Sequence, residues 1–137
     1  MTHGDLSTAE QERRSAIVAG VRKMILSQMH IEEQNDSSMT TVYRDYYLQI
    51  SFSELHPLMV FCMAKALEHP SSARQRQMTN DLNLSSILGS HAINMDVGCY
   101  AYRATHWLDT DLDASRFFEI LDRCVDEAER GYLKLAG

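Results

Sequence analysis

The sequence holds no run of 18 apolar residues, so no helical membrane span is expected. The first residues, Met1 to Leu6, carry no basic stretch followed by an apolar one, so no secretory leader is expected. Proline is scarce at 2 and glycine at 6 of 137 residues, which excludes a linker-rich or disordered chain. Basic residues are outnumbered, 13 against 19, and the net charge of −6 argues against a general nucleic-acid binder. The cysteines number 3, Cys62, Cys99 and Cys124, with no CxxC or zinc spacing. Each lies in an apolar or alternating run, so each reads as a small buried hydrophobe and the expected compartment is the cytoplasm. Gly-rich phosphate loops and nucleophile-elbow motifs are missing as well.

What is present has the size and composition of one soluble domain, with 45% hydrophobic and 23% charged residues. Methionine is abundant at 8, read here mainly as core filler. Ser7-Thr-Ala-Glu10 has capping-box spacing, and Ile17, Val21, Met24 and Ile25 follow a helical period, predicting a helix over about 8–29. His30 to Ser38 reads as a polar loop or helix end. Three strands follow. Thr40 to Tyr43 are strand formers, Arg44-Asp45 is a turn, and Tyr46 to Phe52 alternates, with Tyr47, Gln49 and Ser51 on one face. Leu58 to Leu67 is a continuous apolar run, taken as the third strand because of its Val-Phe-Cys centre and the Pro57 before it.

His69-Pro70-Ser-Ser72 opens a second helix, expected over 73–88 with Gly89 at its C′ position. A hairpin comes next, with arms His91 to Asp96 and Cys99 to Trp107 around Val97-Gly98. On the second arm Tyr100, Tyr102, Ala104 and His106 share one face, and Cys99, Ala101, Arg103, Thr105 and Trp107 the other. Asp109, Asp111 and Asp113 precede the last helix, one of them as its N-cap. Phe117, Leu121, Cys124, Val125, Ala128, Tyr132 and Leu135 form its apolar stripe, with Asp122, Asp126 and Glu129 facing away. The expected class is α+β: an antiparallel sheet of about five strands with helices packed on it, in the order α-β-β-β-α-β-β-α.

This order resembles the type III secretion chaperone-like fold, and in particular the YbjN-like proteins. The residues that carry the resemblance are Met78-Thr-Asn80-Asp-Leu82-Asn83-Leu84 leading through Gly89-Ser-His-Ala-Ile93 into the hairpin, the apolar strand Leu58 to Met63, and the Asp-rich approach to the last helix, Asp109 to Phe118. It covers about residues 7–135. It implies a small cytoplasmic protein, usually dimeric, with no catalytic residue to carry over and no cofactor. Secretion chaperones of this fold hold an effector segment in extended form along apolar patches.

The strands are rich in aromatics, and a sheet covered by helices on one face shows the other to solvent. The expected function is therefore a non-enzymatic protein-binding module, which the resemblance implies to be chaperone-like or regulatory and homodimeric. Tyr47, Tyr100, Tyr102 and Trp107 are its expected contact residues. The competing reading is a small-ligand sensor or cryptic enzyme with a pocket between the sheet and the second helix, using His91, His106, Arg103 and Asn83. No two of the six histidines stand at i, i+3 or i+4, and a His91–His106 pair with Asp109 is the sole conceivable metal site. The Asp109-Thr-Asp111-Leu-Asp113 run lacks the glycine and glutamate of a calcium loop, and no metal is expected.

Overall fold

The computed structural model describes residues 7–53, 56–68, 72–108 and 110–136. His3, one of the six histidines, lies outside the described residues, as do His69, Pro70 and Asp109. The elements run α1 (Thr8–Gln28), β1 (Glu33–Gln34), β2 (Ser38–Tyr43), β3 (Tyr46–Phe52), β4 (Leu58–Ala66), α2 (Ala73–Ser85), β5 (Gly89–Asn94), β6 (Cys99–Trp107) and α3 (Ala114–Ala136). The α+β class and the element order are as expected. The sheet has 6 strands rather than five, antiparallel throughout, in the order β1-β2-β3-β4-β6-β5. The extra strand, β1, has two exposed polar residues and so carries no apolar signal to read.

Alternation sets which face is covered. Tyr46, Leu48 and Ile50 on β3, Met59, Phe61 and Met63 on β4, and Tyr100, Tyr102 and Ala104 on β6 are buried in one cluster with α3 residues Phe117, Leu121 and Val125. Ile17, Val21 and Ile25 of α1 and Leu82 of α2 join the same cluster. The helices therefore cover one face, and α3 is its backbone: the Phe61 and Phe117 rings meet edge to face at 5.8 Å. The continuous apolar run of β4 is explained by its central place, with β3 on one side and β6 on the other.

Local chemistry fixes the helix ends. Ser7 accepts the Glu10 amide as an N-cap, but Glu10 does not reach back as a capping box requires. Its carboxylate is taken by Arg13 and Arg14, each at 2.8 Å. The full capping box occurs instead at α2, between Ser72 and Gln75. Asp113 caps α3 by accepting the Arg116 amide at 2.8 Å. The predicted second helix stops three residues early: it ends at Ser85, and Gly89 begins β5 instead of serving as a C′ glycine. The α3 surface expected to face away is in part engaged. Asp122 accepts the Tyr43 hydroxyl, Asp126 pairs with Arg44, and Glu129 accepts the Tyr46 hydroxyl.

Candidate functional site: the open face of the sheet

The uncovered face is built by the other half of each alternation. Strand register places Glu33, Thr40, Gln49, Cys62, Arg103 and Ser90 as successive cross-strand partners, one from each strand. This single polar row crosses the whole sheet at right angles to the strands. The adjacent row reads Val42, Tyr47, Ala64, Ala101 and Ala92. The two rows, Val42 apart, floor a shallow groove of ≈ 780 Å³, which also touches Glu32. Three alanines leave the floor low beside the Tyr47 ring, which is 71% exposed. Trp107 stands on the same face, 64% exposed, opposite Leu58.

The groove is charged at its two ends. Glu32 and Glu33 lie at the β1 edge and Arg103 near the β5 edge, and among the described residues none of the three forms an ion pair. Beside Arg103, burial pushes the Cys62 thiol up, against the opposing pull of the guanidinium. Cys62 and Cys99 are half-buried on this face, and only Cys124 is buried in the core. The expectation of three buried cysteines is corrected for the first two, because open-face positions on a sheet keep solvent contact.

Tyr100 and Tyr102 require the sharper correction. Both are buried on the helix-covered face, so neither is available as a contact residue in this structure. Their faces were assigned correctly from alternation, but alternation does not say which face a helix covers. Tyr102 donates to the buried Glu127 at 2.7 Å, and the Tyr100 hydroxyl lies 2.6 Å from His91 Nδ1. Burial, reinforced by Glu127, pushes both phenols far up. Glu127 also accepts the backbone N–H groups of Ile87, Leu88 and Gly89. Burial alone would raise its carboxyl, but the Tyr102 hydroxyl and these amides outweigh it and hold it at about 2. This anchor holds the connection after α2, where Ile87 is 88% exposed, and Leu84 in the last turn of α2 is 80% exposed. The sequence reading missed Glu127 because a glutamate amid the polar residues of an amphipathic helix carries no mark of burial.

The four polar groups of the sensor reading do not converge. Asn83 bonds the His91 backbone at both its N–H and C=O. The His91 ring is buried against Tyr100 and Ser86. Burial holds this imidazole below its ordinary value despite the nearby Glu127 charge. Arg103 points to the opposite face of the sheet from His91. His106 stands opposite Met59, past the end of β5, and His91 stands opposite Tyr102, so the two are not neighbours. A separate cavity of ≈ 500 Å³ lies between the start of α2 and the end of α3, lined by Arg74, Gln75, Tyr132 and Leu135, with none of the four groups in it. The expected pocket formed by His91, His106, Arg103 and Asn83 together is therefore corrected: these four groups do not converge on one cavity.

Solved structures share this architecture. The HopA1–SchA chaperone–effector complex contains a chain that matches with a TM-score of 0.58 at 6% identity, over 91% of this chain and 96% of that one. The fold is type III secretion chaperone-like. A chain of the complex of the Yersinia pestis type III secretion chaperone SycH with a fragment of YscM2 matches with a TM-score of 0.56 at 15% identity, over 86% of this chain and 98% of that one. The Pseudomonas aeruginosa ExoT–SpcS complex matches with a TM-score of 0.53 at 16% identity, over 88% and 96%. No protein-family model matches the sequence. No curated protein matches it. The chaperone-like fold thus extends over nearly all the described chain, and no helix in it is long and apolar enough to cross a membrane.

Proposed function

We propose that the chain is a non-enzymatic, chaperone-like or regulatory module that captures a segment of a protein partner on the open sheet face. The observation that carries this is the uncovered groove, with a large exposed aromatic at Tyr47, a low alanine floor and, at both ends, charge that forms no ion pair among the described residues. Exposed contiguous apolar surface with a polar rim marks a partner site, and tyrosine gives contact area at low entropic cost. Tyr47 and Trp107 are the proposed contact residues. The solved neighbours are complexes of chaperones with protein partners, which supports the same reading.

A cytoplasmic homodimer is part of the proposal. Its support is the α2–β5 corner: β5 is an edge strand, and beside it Leu84, Ile87 and Leu88 are exposed on a connection pinned by Glu127. A YbjN-like regulator is the form of this reading suggested by the Met78 to Ile93 pattern. The test is co-purification from source cells followed by limited proteolysis. The expected result is one polypeptide, shielded over a short segment and lost from a Tyr47→Asp/Trp107→Asp variant of unchanged melting temperature. A partner retained equally by that variant contradicts the reading.

A further inference from the structure

The ≈ 500 Å³ cavity between the start of α2 and the end of α3 shares no residue with the groove on the open sheet face. Its floor is apolar and fixed. Leu67 and Leu135 are buried in the core. The Tyr132 ring meets Tyr46 and Tyr100 edge to face and carries the Lys65 ammonium 4.5 Å from its centre. Its hydroxyl donates to the Ala66 carbonyl at 2.9 Å. Met78, half-buried against the same core, is the adaptable member. Two of the polar residues at the cavity are already engaged. Ser72 and Gln75 close the capping box of α2, and the Gln75 side chain also donates to the Leu135 carbonyl at 3.0 Å.

The other two polar residues are charged and opposite in sign. Glu68 and Arg74 line the same cavity, yet among the described residues neither forms an ion pair or a side-chain hydrogen bond. Arg74 stands in the first turn of α2, which holds no acidic residue. A cation there adds to the positive end of the helix, and an anion close by relieves both. A fixed apolar floor with a few free polar groups, in a volume of this order, has the build of a small-molecule site. One free cation and one free anion select a zwitterion. Size narrows the choice further. At ~30 Å³ per water the cavity has room for about seventeen waters. Leucine has about half that many non-hydrogen atoms, and leucyl-leucine about as many.

We propose that this cavity binds an apolar dipeptide with free termini, its carboxylate on Arg74, its ammonium on Glu68 and its side chains on the floor of Leu67, Tyr132 and Leu135. Such a ligand touches both helices and adds a second clamp beside the Gln75–Leu135 bond.

The test titrates leucyl-leucine into the full chain and follows backbone amide shifts by NMR. The expected shifts centre on Arg74, Gln75 and Leu135 and leave Tyr47 and Arg103 on the open face unmoved. N-acetylation removes the ammonium and C-amidation the carboxylate. Each is expected to weaken binding about fivefold, the scale of a solvent-exposed ion pair. Glu68→Gln should weaken the free dipeptide by the same factor and become indifferent to acetylation while still sensitive to amidation. Arg74→Gln should show the reverse. Both side chains are exposed, so unchanged melting temperatures verify folding. Free leucine, lacking one apolar side chain, is expected to bind roughly tenfold more weakly. The absence of shifts at millimolar dipeptide, shifts centred on the open face, or blocked dipeptides binding as well as the free one would overturn the proposal. Leucine binding as tightly as leucyl-leucine would overturn the dipeptide. Capture on the open face is judged separately, by the Tyr47→Asp/Trp107→Asp co-purification.

Discussion

Tyr102 on β6 donates a hydrogen bond from its hydroxyl to the Glu127 carboxylate on α3 across 2.7 Å, inside the core. The same carboxylate gathers three amides of the α2–β5 connection, so one side chain ties sheet, helix and corner together. Replacing Glu127 by Ala leaves those donors without their acceptor and is expected to cost about 3 kcal/mol in a urea titration. The carboxyl stands at about 2, below its ordinary value of 4.5. Its stabilisation is therefore full above the unfolded value and drains away as pH falls from there towards about 2. His91, held neutral by burial, adds its own loss once the pH drops below its ordinary value of 6.5. Comparing wild type with Glu127→Gln separates the two: the variant should lose less stability on acidification below about pH 4.5. Parallel acid profiles would contradict this role for Glu127.

Gly131 marks where α3 comes closest to this network. A methyl group there would sit 2.5 Å from His91 Nδ1 and 3.1 Å from the Tyr100 hydroxyl. Gly131→Ala should cost about 2 kcal/mol by overpacking, although alanine is the better helix former. Chemical denaturation reads the difference, and a stabilised variant would contradict the tight approach.

The β2–β3 turn carries two residues with positive φ, Arg44 at 47° and Asp45 at 70°. Both positions of such a turn favour Asn or Gly, and neither is present. Asp45→Gly should relieve about 1 kcal/mol and raise the melting temperature by roughly 4 °C. Arg44 is different, because it reaches Asp122 at 3.5 Å and Asp126 at 3.0 Å. These pairs are exposed, so Arg44→Gly is expected to gain less than Asp45→Gly. Equal gains would mean that the pairs hold α3 no more firmly than solvent does.

The α2–β5 corner tests the proposed self-association. Leu84→Lys with Ile87→Lys, both at highly exposed side chains, should convert a dimer to a monomer in light scattering, with stability of the isolated fold changed by less than about 0.5 kcal/mol. A dimer that persists places the contact elsewhere.

Legibility followed the strength of each local signal. β3, β6 and α3 announce themselves by long periodic patterns, and their faces follow. The end of α2 was hidden because Ser86, Ile87 and Leu88 continue to look helical, and the distant Glu127 diverts the amides of Ile87 and Leu88. The open groove was partly visible: alternation separated Tyr47 from Tyr46 and Leu48 on β3, and Arg103 and Trp107 from Tyr100 and Tyr102 on β6. Deciding which set meets solvent needs the placement of α3, which no local spacing encodes. The polar row from Glu33 to Ser90 was invisible for a related reason, since it depends on the register of five strand pairings at once.

The most direct measurement is site-specific photo-crosslinking in source cells. A photoreactive residue replaces Tyr47 on the open face or, as the control, Arg123 on the exposed side of α3. The account predicts a discrete adduct from position 47, mapping to one short segment of one partner and lost on Arg103→Glu, with none from position 123. Adducts from position 123 alone, or the same adducts from both, would contradict capture on the open sheet face.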